Sequence, residues 1–243
     1  MGRVIMSGIV PLLKAPVTEV LASSLAVGST VKLMEGGTAV EYLVVNQGIP
    51  SNSNLYDSSC DGTWLLRKDI HSNRQWNSSD FSNYERSTIN AWLNGDFFNT
   101  LGSVEKAAVK QVKIPHCFLG GSYVIQSGSN GLSAKVFLLS GYEVGFTTST
   151  NPYFPVDGAK LSYFESGTGT SANNKRVANY NGSATFWWLR SPRTSGTGSV
   201  WFVDSDGDYD NYDASSSYGI RPALILPKTA LFDEATMLLK GVA

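Results

Sequence analysis

The sequence is short of what most chemistry needs. Among 243 residues there are two histidines, His71 and His116, and two cysteines, Cys60 and Cys117. Neither histidine stands in a recognisable Ser/His/Asp setting, and no tight His/Cys spacing suggests zinc. No Gly-rich strand-to-helix loop suggests phosphate binding. Nothing basic sits beside Cys60 to lower its pKa, and two cysteines allow either one disulfide or two separate thiols. Charge is scarce too, at 16% of residues with a net charge of −1. No Lys/Arg cluster offers the basic stripe of a nucleic-acid binder. No apolar run approaches the length of a membrane span, so membrane insertion is not expected. The opening MGRVIMSGIVPLLKAPV has one Arg and an apolar stretch broken by Pro11, a poor match to a Sec signal peptide. These shortages point away from an enzyme.

Aromatic residues are what the chain has, 12% of it, with 6 Trp and 11 Tyr beside 24 Gly. That mixture suits a loop-rich folded protein with many anchors rather than a disordered chain, and the length is enough to bury a core without disulfides. Residues Met1–Ala26 are punctuated by Pro11 and Pro16 and show no steady apolar period, so they are expected to be a leader that attaches the domain or mediates homo-oligomerisation. Residues 27–243 are expected to be one domain. Thr30–Met34 and Val40–Asn46, split by Glu35-Gly36-Gly37, predict a hairpin. Thr63–Arg67 predicts a buried strand. His71–Tyr84 reads as a polar loop, and Ser87 opens a helix whose Ile89, Trp92 and Leu93 share one face until Gly95 stops it. Ser103 starts a second short helix, and Lys135–Leu139 predicts a strand. Gly145–Thr185 is long and aperiodic, so it should pack over the surface or carry function. Ala184–Arg190, Ser199–Val203 and Tyr218–Leu226 are strand candidates, and the tail has helical character at Asp233–Leu239. Trp64, Trp92, Phe137, Trp187, Leu189 and Leu224 are the expected core.

The series WWLRSP (Trp187–Pro192), SVWFVDSDG (Ser199–Gly207) and YGIRPAL (Tyr218–Leu224), preceded by VGSTVKL, TWLLRKDI and STINAWLN in the same order, resembles a known pattern. It is similar to C-type-lectin-like domains of the formylglycine-generating-enzyme type, and more narrowly to the variable proteins of diversity-generating retroelements in phages and gut bacteria. The resemblance implies an α+β fold of short antiparallel strands, two helices and long loops. It implies a receptor- or ligand-binding protein with its ligand face between WWLRSP and RPAL. The implied partner is a protein or glycan of a bacterial cell surface, and the implied setting is a phage tail; a bacterial adhesion protein and a formylglycine-generating-type enzyme are the alternatives.

The implied ligand face comprises Thr194, Ser195, Thr197, Phe202, Asp204, Asp206, Asp208, Tyr209, Asp210, Asn211, Tyr212, Asp213 and Ser215. Read by themselves, these residues have the Tyr, Ser, Asn and Asp mixture of antibody loops, in which Tyr supplies stiff contact area. Tyr209 and Tyr212 are the natural anchors. Calcium is the competing reading of Asp204–Asp213, but Gly207 follows the second acidic position rather than the third and the closing Glu is missing, so no cofactor is expected. A hairpin turn at Asp206-Gly207 accounts for the glycine. Trp187, Trp188, Arg190 and Arg221 are expected to be structural, one tryptophan buried and the other half-covered because neighbours on a strand face opposite sides, and the arginines bracing carbonyls with their planar donor forks. Finally, residues 202–217 use Phe, Val, Asp, Ser, Gly, Tyr, Asn and Ala but no Lys, Glu, Gln, Met or Trp. An Asn codon of two adenines and a pyrimidine, mutated only at its adenines, reaches every residue type of the first set and none of the second.

Overall fold

The computed structural model describes residues 18–51, 53–119 and 122–243. Two five-stranded sheets carry the domain. The rear sheet runs, in spatial order, Val136–Phe137, Ala223–Leu226, Thr63–Arg67, Thr38–Gln47 and Thr30–Glu35, with every pair antiparallel. The front sheet runs Tyr209–Asp213, Ser199–Val203, Trp187–Pro192, Ser217–Ile220 and Ser72–Gln75. Its one parallel neighbour pair is Trp187–Pro192 beside Ser217–Ile220. Glu19–Leu21 pairs with Ala230–Asp233, which pairs with Leu239–Val242, so the start and end of the described chain share a third sheet.

The α+β, C-type-lectin-like expectation is overturned. Strands take 37% of the residues against 18% for helices of every kind, and the arrangement does not show a C-type-lectin fold. The tail shows why. The segment expected to be helical near Asp233–Leu239 follows a strand, Ala230–Asp233, in which buried and half-buried residues alternate. Period-two burial wins over helical propensity. The Asp233 carboxylate then accepts from the Thr236 amide at 2.8 Å and closes a turn into Leu239–Val242. The helix expected after Ser87 is real and is capped by the Ser87 hydroxyl, which accepts from the Asn90 amide. Gly95 does not stop it. The helix widens to a π turn over Leu93–Phe97 and ends at Thr100.

Two further expectations change. Of the Met1–Ala26 leader, residues 1–17 lie outside the described residues, but Glu19–Leu21 is sheet and Ala22 is fully buried, so those residues belong to the body. Tyr218–Leu226 is two strands in two sheets. The chain crosses at Arg221-Pro222, beside the crossing of Lys68–His71 in the opposite direction. Paired hydrogen bonds hold the crossing: the Arg67 amide donates to the Pro222 carbonyl, the His71 amide to the Ile220 carbonyl, and Arg221 Nε to the Arg67 carbonyl, each at 2.8 Å.

The core is aromatic. Trp64, Trp76, Trp187, Trp188 and Trp201 are all buried, as are Phe137, Leu189 and Leu224. Trp64 meets Phe137 edge to face at 5.7 Å, the arrangement ring quadrupoles favour. Trp92, expected in this core, is only half-buried. The long Gly145–Thr185 segment contributes Phe146, Phe154, Leu161 and Phe164 to the core, and contains a helix at Thr170–Arg176 and a small hairpin, Asn179–Tyr180 with Ser183–Ala184.

Candidate functional site

Strand Tyr209–Asp213 forms one edge of the front sheet, and its register against Ser199–Val203 sorts its side chains. Tyr209 lies opposite Val203 and Asn211 opposite Trp201, while Asp210 lies opposite Phe202 and Tyr212 opposite Val200. Directly opposed residues share a face and neighbours alternate. One face therefore carries Tyr209 and Asn211, and the other carries Asp210 and Tyr212.

On the first face Tyr209 is an anchor. Its ring sits 5.2 Å from Phe146, 5.3 Å from Phe154 and 5.6 Å from Trp201, and its hydroxyl donates to the Thr150 carbonyl at 3.1 Å. Beside it opens a polar cleft of about 480 Å³ lined by Thr147, Thr150, Ser166, Thr168 and Asp208.

The second face carries an aromatic patch. Tyr218 packs on Trp188 at 4.7 Å and on Phe202 at 4.8 Å. Phe186 stacks on Phe202 at 5.4 Å and meets Tyr218 edge to face at 5.6 Å. Tyr212 lies 6.2 Å from Tyr218. Trp188 and Phe202 form a buried floor, whereas Phe186 is 37% and Tyr212 54% exposed. Phe186, Tyr218 and Tyr212 thus make a partly exposed aromatic patch over a buried aromatic base, and apolar patches on a surface can mark contact sites. Burial, with Tyr212 and Asp210 nearby, raises the Tyr218 phenol above its ordinary pKa. At the opposite edge of this face Arg74 lies directly across from Tyr218 and turns its guanidinium over Trp92, 4.1 Å from the ring centre.

The remaining expected ligand residues divide sharply. Ser195, Thr197, Asp206, Asp210, Tyr212 and Asp213 are exposed. Thr194 is half-buried, and its amide and hydroxyl both donate to the Tyr153 carbonyl at 3.0 Å. Ser215 is half-buried, with its amide on Asp80 and its carbonyl taken by Gln75. Phe202 is 4% exposed and belongs to the floor, so it cannot serve as a freely varied contact. Asp204 does not reach outward either: its Oδ1 accepts from the amides of Asp206 and Asp208, and burial with the neighbouring Asp206 pushes its carboxyl up to about 6. Asp208 and Asp210 each accept from the next residue's amide, Tyr209 at 2.9 Å and Asn211 at 2.7 Å. These carboxylate oxygens cap the backbone instead of converging on a point. Among the described residues no group of three or more His, Cys, Asp or Glu is arranged to hold a metal ion.

The turn is fixed as well. Gly207 is buried at φ +84°, and a Cβ there would lie 2.0 Å from the Asn173 carbonyl oxygen. Arg176 Nε donates to the Gly207 carbonyl at 2.8 Å.

Arg190 is fully buried. It holds Glu143 bidentately at 2.5 and 2.6 Å and donates to the carbonyls of Pro115, Leu138 and Asp157, each at 2.9 Å. Arg221 braces Arg67 and lies 5.0 Å from the Trp187 ring centre. Cys60 and Cys117 are buried free thiols, and burial pushes Cys60 up to about 12 and raises Cys117.

Phe186 and Arg74 lie outside the ligand face expected from the sequence. Phe186 was visible as a residue two places before Trp188 and hence on the same face; Arg74 lay in a stretch with no strand pattern.

Fold and site together define a β-rich domain presenting a fixed aromatic patch beside an acidic edge strand. Residues 61–228 match the family described as "Domain of unknown function (DUF6273)", and the chain belongs to that family. The match takes in the whole front sheet. No curated protein and no solved structure matches the chain.

Proposed function

We propose that the protein is a ligand-binding protein whose contact surface is the aromatic face of the front sheet with its Tyr209–Asp213 edge. The observation that carries this reading is the exposed pair Phe186 and Tyr212, joined by Tyr218 over the buried Trp188–Phe202 floor. Aromatic side chains held rigid by their neighbours lose little entropy when a ligand lands on them, which is why they dominate binding hot spots. The partner is a protein or glycan of a bacterial cell surface, and the setting is a phage tail or a cell surface. The resemblance of Trp187–Pro192, Ser199–Gly207 and Tyr218–Leu224 to retroelement variable proteins supports that part.

Diversification at Asn codons is the finer part of the proposal. It fits Ser195, Thr197, Asp206, Asp210, Tyr212 and Asp213, which face solvent, and it does not fit Phe202, Gly207 or Tyr209. The source genome is the check: an adenine-rich template repeat matching this segment, beside a reverse transcriptase, is expected, and finding neither would remove this part alone. The binding reading is tested by screening the protein on arrays of bacterial glycans and surface proteins beside a Phe186→Ala, Tyr212→Ala double variant. Binding that the double variant loses while its melting temperature holds supports the reading. Equal binding by both overturns the assignment of this surface.

A further inference from the structure

The stretch Thr194–Ile220 contains five aspartates, Asp204, Asp206, Asp208, Asp210 and Asp213, and no Lys, Arg or His. Of these, Asp206, Asp210 and Asp213 are exposed. Asp210 shares its face with Tyr212 and lies close enough to Tyr218 to act on its phenol. Its Oδ1 accepts from the Asn211 amide at 2.7 Å, and among the described residues nothing donates to Oδ2. Arg74, directly opposite Tyr218 on the neighbouring edge strand, holds its guanidinium over the Trp92 ring, 4.1 Å from its centre. The acidic end of the patch thus combines two tilted phenol rings, 6.2 Å apart at 59°, with an exposed carboxylate.

From this geometry we infer that the patch docks a basic segment of a protein partner, with a Lys or Arg side chain laid over Tyr212 and Tyr218 and its charge met by Asp210. The inference rests on the ligand-binding reading and names the chemistry of the ligand. The negative face of an aromatic ring attracts a cation within about 6 Å of its centre, and a carboxylate beside it adds a charge-assisted hydrogen bond. The stem of a Lys or Arg side chain covers apolar surface while its head stays polar, which suits an aromatic patch ending in aspartates. Asp206 and Asp213 rim the same edge and steer a cationic partner toward it, an effect that salt screens.

The test uses the full chain and a fluorescent acetylated peptide of alternating Gly and Lys, titrated by polarisation at low and physiological salt. Three competitors are run beside it: the same peptide with its lysines acetylated, choline chloride, and a neutral oligosaccharide. The Lys peptide is expected to bind, to weaken with salt, and to lose about threefold to tenfold in affinity with Asp210→Asn or Tyr212→Ala, in the range of one exposed-to-desolvated cation–π or ionic contact. Lys175→Ala, on the Thr170–Arg176 helix outside the aromatic patch, should bind as the parent does. Unchanged melting temperatures show that the variants fold. No binding by the Lys peptide, equal binding by its acetylated form, tighter binding by choline or the oligosaccharide, or indifference to both substitutions overturns the inference. In those cases an array ligand lost on Phe186→Ala, Tyr212→Ala would leave the broader binding reading standing.

Discussion

Tyr209 and Tyr212, three residues apart on one edge strand, face opposite sides of the front sheet. The sequence pairs them as twin anchors, yet one is built into the long Gly145–Thr185 segment and the other stands in solvent. Tyr209→Ala is therefore expected to cost about 2–3 kcal/mol of stability, somewhat below the loss of a fully buried ring. Tyr212→Ala should change stability by less than about 0.5 kcal/mol while weakening ligand binding. Urea denaturation of the two variants checks the split; equal losses would mean the strand is registered differently.

The Arg190–Glu143 pair makes a second prediction. Both side chains are wholly buried, and removing one strands the charge of the other. Arg190→Met should cost about 3–5 kcal/mol. Adding Glu143→Gln should recover part of that loss, because the remaining buried group is then neutral. A double variant no more stable than Arg190→Met would show that the lost carbonyl bonds, not the stranded carboxylate, set the cost.

Asp157 governs a pH dependence. It is fully buried beside Arg190 and Glu143, its carboxylate accepts from Ser191, and burial pushes its pKa up to about 7. The folded state therefore keeps this proton after the unfolded chain, with its ordinary value near 4, has released it. Stability from this group falls as pH rises from about 4 to 7. Asp157→Asn should gain on the parent protein across that window and hold a constant difference above it. His71 and His116, lowered to about 4 by burial, act in the opposite sense: the unfolded chain takes up their protons first, so their contribution is lost as pH falls below about 6.5. Denaturation midpoints at several pH values for both proteins separate the two effects. A difference that does not vary with pH would mean Asp157 is ionised throughout.

The edge strand carries its own guard. Register places the amides of Tyr209 and Asn211 on the open side, since the hydrogen-bonded pairs fall on even residues such as Ala214 with Gly198 and Asp204 with Asp208. Asp208 and Asp210 cap those two amides. Exposed amides and a flat edge invite pairing with another chain, and charge on the edge opposes it. An Asp208→Ala, Asp210→Ala double variant should self-associate more strongly with concentration than the parent in light scattering. Identical behaviour would show that the caps do not protect the edge.

How far the sequence carries is clear from individual elements. Thr63–Arg67 and Ser199–Val203 lie where their apolar, β-branched and aromatic runs place them, because both are buried on both faces. Ser72–Gln75 was illegible: its side chains are mostly exposed, so no alternation marks it, and it is a strand only because Ser217–Ile220 arrives beside it. Tyr212 could be read from composition. The packing of Tyr209 could not, since Phe146 and Phe154 come from a segment with no periodic signal. Phe202 looked like part of a variable face, but it stands opposite Trp188, and that neighbour decides its burial. The C-type-lectin-like expectation failed on the same ground. Short motifs locate strands, whereas the order in which strands lie side by side is a property of the whole chain.

The pairing of Gln75 with Ser217 and of Leu21 with Leu231 has a consequence for how the molecule comes into being. Contacts between residues so far apart are slow to form, because the intervening chain must give up its freedom before the contact rewards it. On a ribosome, Trp188 and Phe202 emerge before Tyr218 exists to cover them. Until Ser217–Ile220 slots between Trp187–Pro192 and Ser72–Gln75, the aromatic floor is bare hydrocarbon. The surface proposed to meet a partner is thus, for a time during synthesis, the stickiest part of an unfinished protein.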